Sequence, residues 1–148
     1  SLVGSEMCIR DRKEKIQSLF WAGCCGDDET KQTIGRVWQE HHYLCDTHTA
    51  VAWNVAQQYK AANPAHAPVV VLSTASPYKF PAAVLGGLGE KAEGDEFAVM
   101  EQLERLTRIP APKNLRGLRE RPVRHTTVLD REEMLPFVLE KAQEKKWF

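Results

Sequence analysis

The feature that most constrains the fold is a short apolar run, VVVLST, at residues 69–74. Its apolar part is continuous and largely β-branched, a pattern typical of a strand that is buried on both faces of a parallel sheet. Such a strand requires neighbouring strands on both edges and helices on both faces. Residues 123–129 form the second strand candidate, and helical patterns dominate elsewhere. The sequence therefore predicts an α/β fold that is rich in helices and has an incomplete parallel sheet.

The helices are predicted from apolar spacing and from capping residues. The first predicted helix covers residues 13–22, and the second is capped by Asp27 or Asp28 and runs to about His42. The third begins at Asp46-Thr47 and ends at Asn63-Pro64, and the fourth runs from Pro81 to the glycines at 86, 87 and 89. The fifth covers residues 95–107, and Asp130 caps the last. The inward faces are expected to include Val51, Val55 and Tyr59, then Val99, Leu103 and Leu106, and finally Met134, Leu135, Val138, Leu139 and Ala142. Because two strands are too few for so many helices, we expect the chain to be the C-terminal piece of a longer protein.

The first twelve residues differ in pattern from the rest of the chain. Residues 1–12, SLVGSEMCIRDR, show neither a helical period nor strand alternation. They look like translated adapter sequence, and we expect them to be a non-native addition. The native part of the chain is therefore expected to be residues 13–148.

The composition argues against several classes of protein. Lysine and arginine number 20, and aspartate and glutamate also number 20, so the formal net charge is zero. Nucleic-acid-binding domains normally carry a basic excess, so no nucleic-acid partner is expected. No apolar run approaches the roughly 20 residues of a membrane span, and the N-terminus has no secretory-signal pattern. The four cysteines are irregularly spaced, which favours reduced thiols and a cytoplasmic location.

Cysteines and histidines cluster in the first third of the chain, which raises the question of a metal site. The cluster contains Cys24, Cys25, His41, His42, Cys45 and His48. Structural zinc sites usually draw on paired ligands such as C-x2-C, whereas the first two cysteines here are adjacent. No metal is therefore expected, and these residues are interpreted as loop cysteines and helix-end histidines.

The better candidate site is the end of the apolar strand, at residues 73–80 (STASPYKF). Ligands of open α/β sheets bind at the carboxyl ends of the strands, where the loops are free to vary. Three hydroxyl groups and Lys79 at such an end suit a phosphorylated or carboxylated ligand. Ordinary turn chemistry with a solvated lysine explains the same residues equally well, and spacing alone does not decide between the two.

Two segments of the chain resemble a known family. DTHTAVA at residues 46–52 and VVLSTASPYKFP at residues 70–81 are similar to the C-terminal third of threonine synthases. Flanking stretches at 27–44, 109–112 and 122–126 are similar as well, so the resemblance runs in order through nearly the whole chain.

The resemblance implies a fold, a cofactor and a reaction. Threonine synthases have the fold type II, tryptophan-synthase-β-like architecture, and this chain would be part of its large domain. They depend on pyridoxal 5'-phosphate and convert O-phosphohomoserine and water to threonine and phosphate. The cofactor carries the difficult chemistry, and the protein orients the substrate. Thr47 departs from the first motif, since many members have proline there.

The resemblance also assigns roles to individual residues. Thr74 matches the position whose hydroxyl faces the pyridine nitrogen of the cofactor. Asp46 and His48 match a helix N-terminus near the cofactor, although capping or packing explains His48 equally well. Lys79 is expected to help bind the substrate phosphate or the active-site loops, with Ser76 in the same area.

The resemblance implies that the family's Schiff-base lysine lies in the N-terminal half, in a Phe-Lys-Asp type motif. The glycine-rich loop that binds the cofactor phosphate lies in the N-terminal half as well. This chain has no such motif, and Lys79 is not its equivalent. No catalytic residue is therefore expected here; the chain should be inactive alone and should require the N-terminal part of the same enzyme as its partner. Two alternatives stay open. One is a fragment of a threonine dehydratase-like lyase, which the SPYKF stretch disfavours, and the other is a non-catalytic binding module derived from this domain.

Overall fold

The computed structural model describes residues 12–65 and 67–144. The chain forms two compact units, one up to Arg116 and one from Gly117 onwards. The helices of the first unit are α1 (12–19), α2 (Asp27–His41), α3 (Thr47–Ala62), α4 (Pro81–Gly87), α5 (Glu96–Thr107) and α6 (Lys113–Arg116), with a 3-10 turn at Pro77–Lys79 before α4. The second unit contains a 3-10 turn at Arg131–Glu133 and α7 (Met134–Glu144). Residues 1–11 lie outside the described residues, so the interpretation of 1–12 as a non-native addition stays a prediction.

The start of α2 differs by one residue from the prediction. The N-cap is Gly26, whose backbone N–H donates a hydrogen bond to the Glu29 carboxylate at 3.0 Å. Asp27 and Asp28 lie in the first turn instead, where negative charge interacts favourably with the helix dipole. The glutamate three residues after the cap therefore marks this helix start better than the aspartates do.

The predicted bounds of α3, α4 and α5 are confirmed, whereas the first helix, predicted over 13–22, ends at residue 19. Asp46 caps α3, and Asp95 caps α5 by accepting the Ala98 N–H at 2.8 Å. The glycines close α4 as expected, since Gly89 has a φ of +83° and the Glu90 N–H reaches back to the Leu85 carbonyl at 2.9 Å. This left-handed residue is typical of a helix C-terminus.

The core of the first unit lies where α2 packs on α3 and α4, and where α4 packs on α5. Its fully buried side chains include Ile34, Val37, Ala50, Val84, Leu85, Val99 and Leu103.

Two predicted faces are rotated relative to this core. On α3 the stripe of Val51, Val55 and Tyr59 is only half-buried, and Thr49 and Ala50 are buried in its place. On α5 Leu106 is exposed and Thr107 is buried. Burial of Thr107 leaves no polar atom unpaired, because its hydroxyl donates to the Leu103 carbonyl at 2.8 Å.

No β-strand occurs within residues 12–65 and 67–144, so both predicted strands are absent from the described structure. Residues 69–74 are extended, but Val70 and Leu72 are 82% and 73% exposed rather than buried. Val123 and Val128 of the second candidate are exposed as well. A strand is defined by hydrogen bonds to a neighbour, and the extended segments find none in this part of the chain. The helix-rich character is confirmed, whereas the predicted burial of the strand is wrong.

The second unit has one helix with an apolar stripe. As predicted, Asp130 precedes it, and the Asp130 N–H donates to the Glu133 carboxylate at 2.9 Å. The stripe predicted to face inward is exposed: Met134, Leu135, Val138 and Leu139 are each more than half accessible to solvent. The amphipathic pattern is therefore real, but its expected burial is not observed.

Among the residues that the structure describes, no helix has the length and apolar character that a membrane span requires.

Candidate functional site

The structure brings part of the predicted site together along α3. The extended segment 69–74 runs beside this helix, and a groove of about 440 Å³ lies between them. The groove walls are mostly apolar: Trp21, Ala52, Val55, Ala56, Tyr59 and residues 69–72. Two polar side chains, His48 and Thr74, also line it. Val55 and Tyr59 of the half-buried α3 stripe are thus part of a groove wall rather than of the core, and Val51 lines a second cavity.

Thr74 contributes an aliphatic hydroxyl group to this groove. The side chain is exposed, and no hydrogen bond within the described part of the chain engages its hydroxyl. A hydroxyl donates one hydrogen bond and accepts others, so Thr74 is available to one polar atom of a ligand. The remaining groove surface suits a flat apolar body.

Asp46 lies behind the groove and is 1% exposed. Its Oδ1 accepts the backbone N–H of His48 at 2.9 Å and that of Thr49 at 3.2 Å, and its Oδ2 accepts the Thr49 hydroxyl. These donors satisfy the carboxylate and fix the first turn of α3. Asp46 therefore supports the site from behind through the helix N-terminus.

His48 is exposed at the first turn of α3, where its Nδ1 lies 3.5 Å from the Asp46 carboxylate. Its ring lies 5.7 Å from the Phe80 ring, at an interplanar angle of 39°. His48 lines the groove and also a second cavity of about 390 Å³ between the N-termini of α2 and α3. It joins the groove to the turn that contains Ser76 and Lys79.

Ser76 and Lys79 do not line the groove. The Ser76 hydroxyl oxygen accepts the Tyr78 N–H at 3.3 Å and caps the 3-10 turn. Lys79 is exposed, with its ammonium 5.8 Å from the centre of the Phe80 ring, and it lines a separate cavity of about 460 Å³ beside α5. The structure therefore places Thr74 and His48 on the groove with Asp46 next to His48, and it places Ser76 and Lys79 in the 3-10 turn that follows Thr74 in the chain.

The sequence analysis included Ser73 in the candidate site but missed two hydroxyl residues that contact it, Tyr43 and Thr49. The Tyr43 hydroxyl donates to the Ser73 Oγ at 3.0 Å, and the Thr49 Oγ1 lies 3.4 Å from that same Oγ. Ser73 is separated from these partners by 30 and 24 residues, so no local spacing points to the contact. The available signal was the threonine three residues after the capping aspartate.

The cysteines form no metal centre with their neighbours. Across the described ranges, no three histidine, cysteine or acidic side chains come together as a metal-binding group. Cys24, Cys25 and Cys45 are free thiols. Burial raises the pKa of the Cys45 thiol from 9.0 to about 11, which keeps it protonated and unreactive at neutral pH.

The chain matches a known protein family. Residues 49–138 match the family described as "Threonine synthase, C-terminal". The chain is 37% identical over 99 residues to the human protein "Threonine synthase-like 2", covering 66% of this chain and 20% of that protein. It is 31% identical over 87 residues to "Threonine synthase" of Pseudomonas aeruginosa, covering 57% of this chain and 18% of that protein.

The chain spans about a fifth of the length of these relatives in each alignment. The match to the family extends over more than half of the chain and contains Thr74, Ser76 and Lys79. The chain therefore belongs to the threonine synthase C-terminal family.

Proposed function

We propose that this chain is the C-terminal part of a pyridoxal-phosphate-dependent threonine synthase, which converts O-phosphohomoserine and water to threonine and phosphate. The observation that carries the proposal is the family match over residues 49–138, which contains most of the groove-lining residues and the turn after them; Trp21 and His48 lie outside the match. The chain corresponds to about a fifth of its relatives. Activity is accordingly proposed for the full-length enzyme, and the chain alone is proposed to be inactive.

The groove fits the proposed cofactor by its chemistry. Pyridoxal phosphate, when bound, supplies the electron sink for reactions at the α-carbon of an amino acid. Its ring is flat and largely apolar with one nitrogen, and the groove offers apolar walls together with the hydroxyl groups of Thr74 and Tyr59. We assign the Thr74 hydroxyl as donor to the ring nitrogen, because the family resemblance matches Thr74 to that position. A neutral donor stabilises a protonated ring less than a carboxylate does, so Thr74 tunes the cofactor.

Asp46 and His48 are proposed to support this site. Asp46 fixes the first turn of α3 with three hydrogen bonds to its Oδ atoms, and this turn orients the His48 ring toward the groove. A side chain whose backbone is fixed in this way can contact a ligand with little loss of entropy on binding. His48 is accordingly proposed to contact the cofactor at the groove edge.

Lys79 and Ser76 are proposed to bind the phosphate of the substrate. The Lys79 ammonium is exposed and supplies the positive charge that a phosphate monoester requires. The Ser76 oxygen accepts the Tyr78 N–H, so its own proton remains available as a donor. Phe80 connects this turn to the groove through its ring contact with His48.

The partner is proposed to be the N-terminal part of the same enzyme. The extended segment 69–74 exposes Val70 and Leu72, and backbone groups at its edges have no strand partner among the described residues. Free strand edges favour pairing with another segment. We propose that this segment becomes a strand of a parallel sheet of the fold type II large domain when the rest of the enzyme is present. The free thiols of Cys24, Cys25 and Cys45 support the further proposal of a reducing, cytoplasmic location.

The test is an assay of the purified full-length enzyme that contains this chain. With O-phosphohomoserine, it is expected to release phosphate and threonine in equal amounts, and only when pyridoxal phosphate is present. With threonine as substrate, no 2-oxobutanoate is expected. Formation of 2-oxobutanoate without phosphate release would identify a dehydratase-like lyase instead, and cofactor binding without either reaction would identify a binding module.

A further inference from the structure

Four side chains beside the groove form a continuous series of contacts. The Tyr43 hydroxyl contacts the Ser73 Oγ at 3.0 Å, the Ser73 Oγ lies 3.4 Å from the Thr49 Oγ1, and the Thr49 hydroxyl contacts the Asp46 carboxylate. We call Tyr43, Ser73, Thr49 and Asp46 the hydroxyl chain. It connects the segment before α3, the first turn of α3 and the extended segment 69–74.

Two of the contacts in the hydroxyl chain meet at the Ser73 Oγ. The Thr49 hydroxyl donates to the Asp46 carboxylate and is also the donor toward the Ser73 Oγ at 3.4 Å. The Ser73 Oγ accepts the Tyr43 hydroxyl as well, at 3.0 Å. The Ser73 side chain is therefore held between Tyr43 on one side and the first turn of α3 on the other.

The hydroxyl chain is anchored at one end and exposed at the other. Asp46 is 1% exposed and Thr49 is 4% exposed, whereas Tyr43 is 47% exposed. The segment 69–74 has no ladder hydrogen bonds within the described residues. Strand partners from the rest of the enzyme would bind its backbone, whereas the contact of its end with the first turn of α3 is made by side chains. Ser73 is the residue of this segment that the hydroxyl chain engages, and it directly precedes Thr74.

We propose that the hydroxyl chain positions Thr74, with Thr49 and Tyr43 acting as positioning residues for its contact with the cofactor ring. This inference rests on the proposed function, because it gives the Thr74 hydroxyl a ligand. Thr49 and Tyr43 line neither the groove nor the cavity at the α2 and α3 N-termini, so their effect passes through Ser73. A site of this kind requires its donor within about 0.5 Å of the productive position.

The experiment compares Thr49→Val and Thr49→Ser in the full-length enzyme that contains this chain. The readouts are the Kd for pyridoxal phosphate and the absorbance spectrum of the bound cofactor, which reports on the ring nitrogen. Thr49→Val removes the hydroxyl at nearly constant volume and is expected to raise the Kd roughly tenfold and to shift the spectrum in the same direction as Thr74→Val. Thr49→Ser restores the hydroxyl and is expected to restore both readouts.

Thr33→Val is the matched control. Thr33 is 1% exposed, and its hydroxyl donates to the Glu29 carbonyl at 2.7 Å and accepts from Asn54 at 3.2 Å, away from the groove. It is expected to lower stability without changing the Kd or the spectrum. If Thr49→Val does not fold, Tyr43→Phe provides a second variant, because Tyr43 is exposed and loses only its hydroxyl; its expected effect is smaller and has the same sign.

A double variant separates the two levels of the proposal. If Thr49 acts through Thr74, Thr49→Val combined with Thr74→Val is no worse than Thr74→Val alone, so the two effects are not additive. Additive effects, or an unchanged Kd in Thr49→Val and Tyr43→Phe while Thr74→Val loses cofactor, would overturn the hydroxyl-chain inference and leave the proposed function intact. An unchanged Kd and spectrum in Thr74→Val would instead overturn the role of Thr74 in the proposed function.

Discussion

Gly35 of α2 and Gly87 of α4 meet backbone against backbone. A Cβ atom on Gly35 would lie 2.5 Å from the Gly87 carbonyl oxygen, and one on Gly87 would lie 2.8 Å from the Cβ of Ile34. No side chain fits between the two helices at this point, so glycine is required on both sides. The crossing fixes α4, and the turn of Ser76 and Lys79 leads directly into α4. A contact far from the groove thereby sets the base of the proposed phosphate site.

We predict that Gly35→Ala destabilises the chain by about 1–3 kcal/mol, because the added methyl group forces the two backbones apart. Gly86→Ala is the matched control. Its Cβ would meet only the flexible end of Lys31, at 3.9 Å. Alanine is intrinsically better than glycine in a helix, so this variant is expected to be neutral or up to about 1 kcal/mol more stable. Urea unfolding of both variants tests the prediction, and equal stabilities would contradict it.

The buried cap of α3 yields a second prediction. Asp46→Ala removes the acceptor of two backbone N–H groups and of the Thr49 hydroxyl, and is expected to cost about 2 kcal/mol. Asp46→Asn keeps one oxygen acceptor for the N–H groups and is expected to cost less than half as much. The free energy of unfolding measures both. An equal loss in Asp46→Asn and Asp46→Ala would show that charge, and not capping, determines the role of Asp46.

Cys45 makes the stability depend on alkaline pH. Burial raises its pKa from 9.0 to about 11, so the folded state keeps a proton that the unfolded chain releases between these values. The stabilising contribution is therefore complete below pH 9 and is lost as the pH rises toward 11. Cys45→Ala is expected to be less stable at neutral pH and to lose less stability over this range. An equal alkaline loss in wild type and Cys45→Ala, measured under reducing conditions, would contradict the assignment.

The helices were predictable because their signals are local. The cap at Asp46, the closing glycine at Gly89 and the apolar spacing of Val99 and Leu103 each act within a few residues, and each matches the structure. The N-cap of α2 was predicted one or two residues too late, at Asp27 or Asp28 instead of Gly26. The signal for Gly26 is local as well, since glycine also caps helices and its partner Glu29 lies three residues away.

The strands and part of the site depend on residues that are distant in the sequence. VVVLST has the composition of a buried strand, but burial requires neighbouring strands that the described residues do not supply. The contact of Ser73 with Thr49 and Tyr43 spans 24 and 30 residues, and no periodicity encodes it. Thr74 and His48 were placed by family resemblance, and the structure adds that both line one groove.

The isolated chain allows a test of the proposal that it lacks the Schiff-base lysine. After incubation with pyridoxal phosphate and reduction with borohydride, we expect weak labelling spread over exposed lysines such as Lys79 and Lys141, without one stoichiometric site. The reason is the proposal, drawn from the family resemblance, that the cofactor-binding lysine belongs to a Phe-Lys-Asp type motif, which does not occur among residues 1–148. Peptide mapping by mass spectrometry measures the distribution. A stoichiometric adduct at a single lysine would contradict the proposal that the chain acts only as part of a larger enzyme.

The most direct test of the central claim is cofactor affinity and phosphate release in Thr74→Val and Thr74→Ser of the full-length enzyme. Valine keeps the shape of threonine and removes the hydroxyl, so the ring nitrogen would lose its partner at a cost of about 1–3 kcal/mol. We predict that Thr74→Val lowers kcat or cofactor affinity roughly tenfold or more, and that Thr74→Ser has a much smaller effect because its hydroxyl remains. Wild-type affinity and wild-type phosphate release in Thr74→Val would contradict the account.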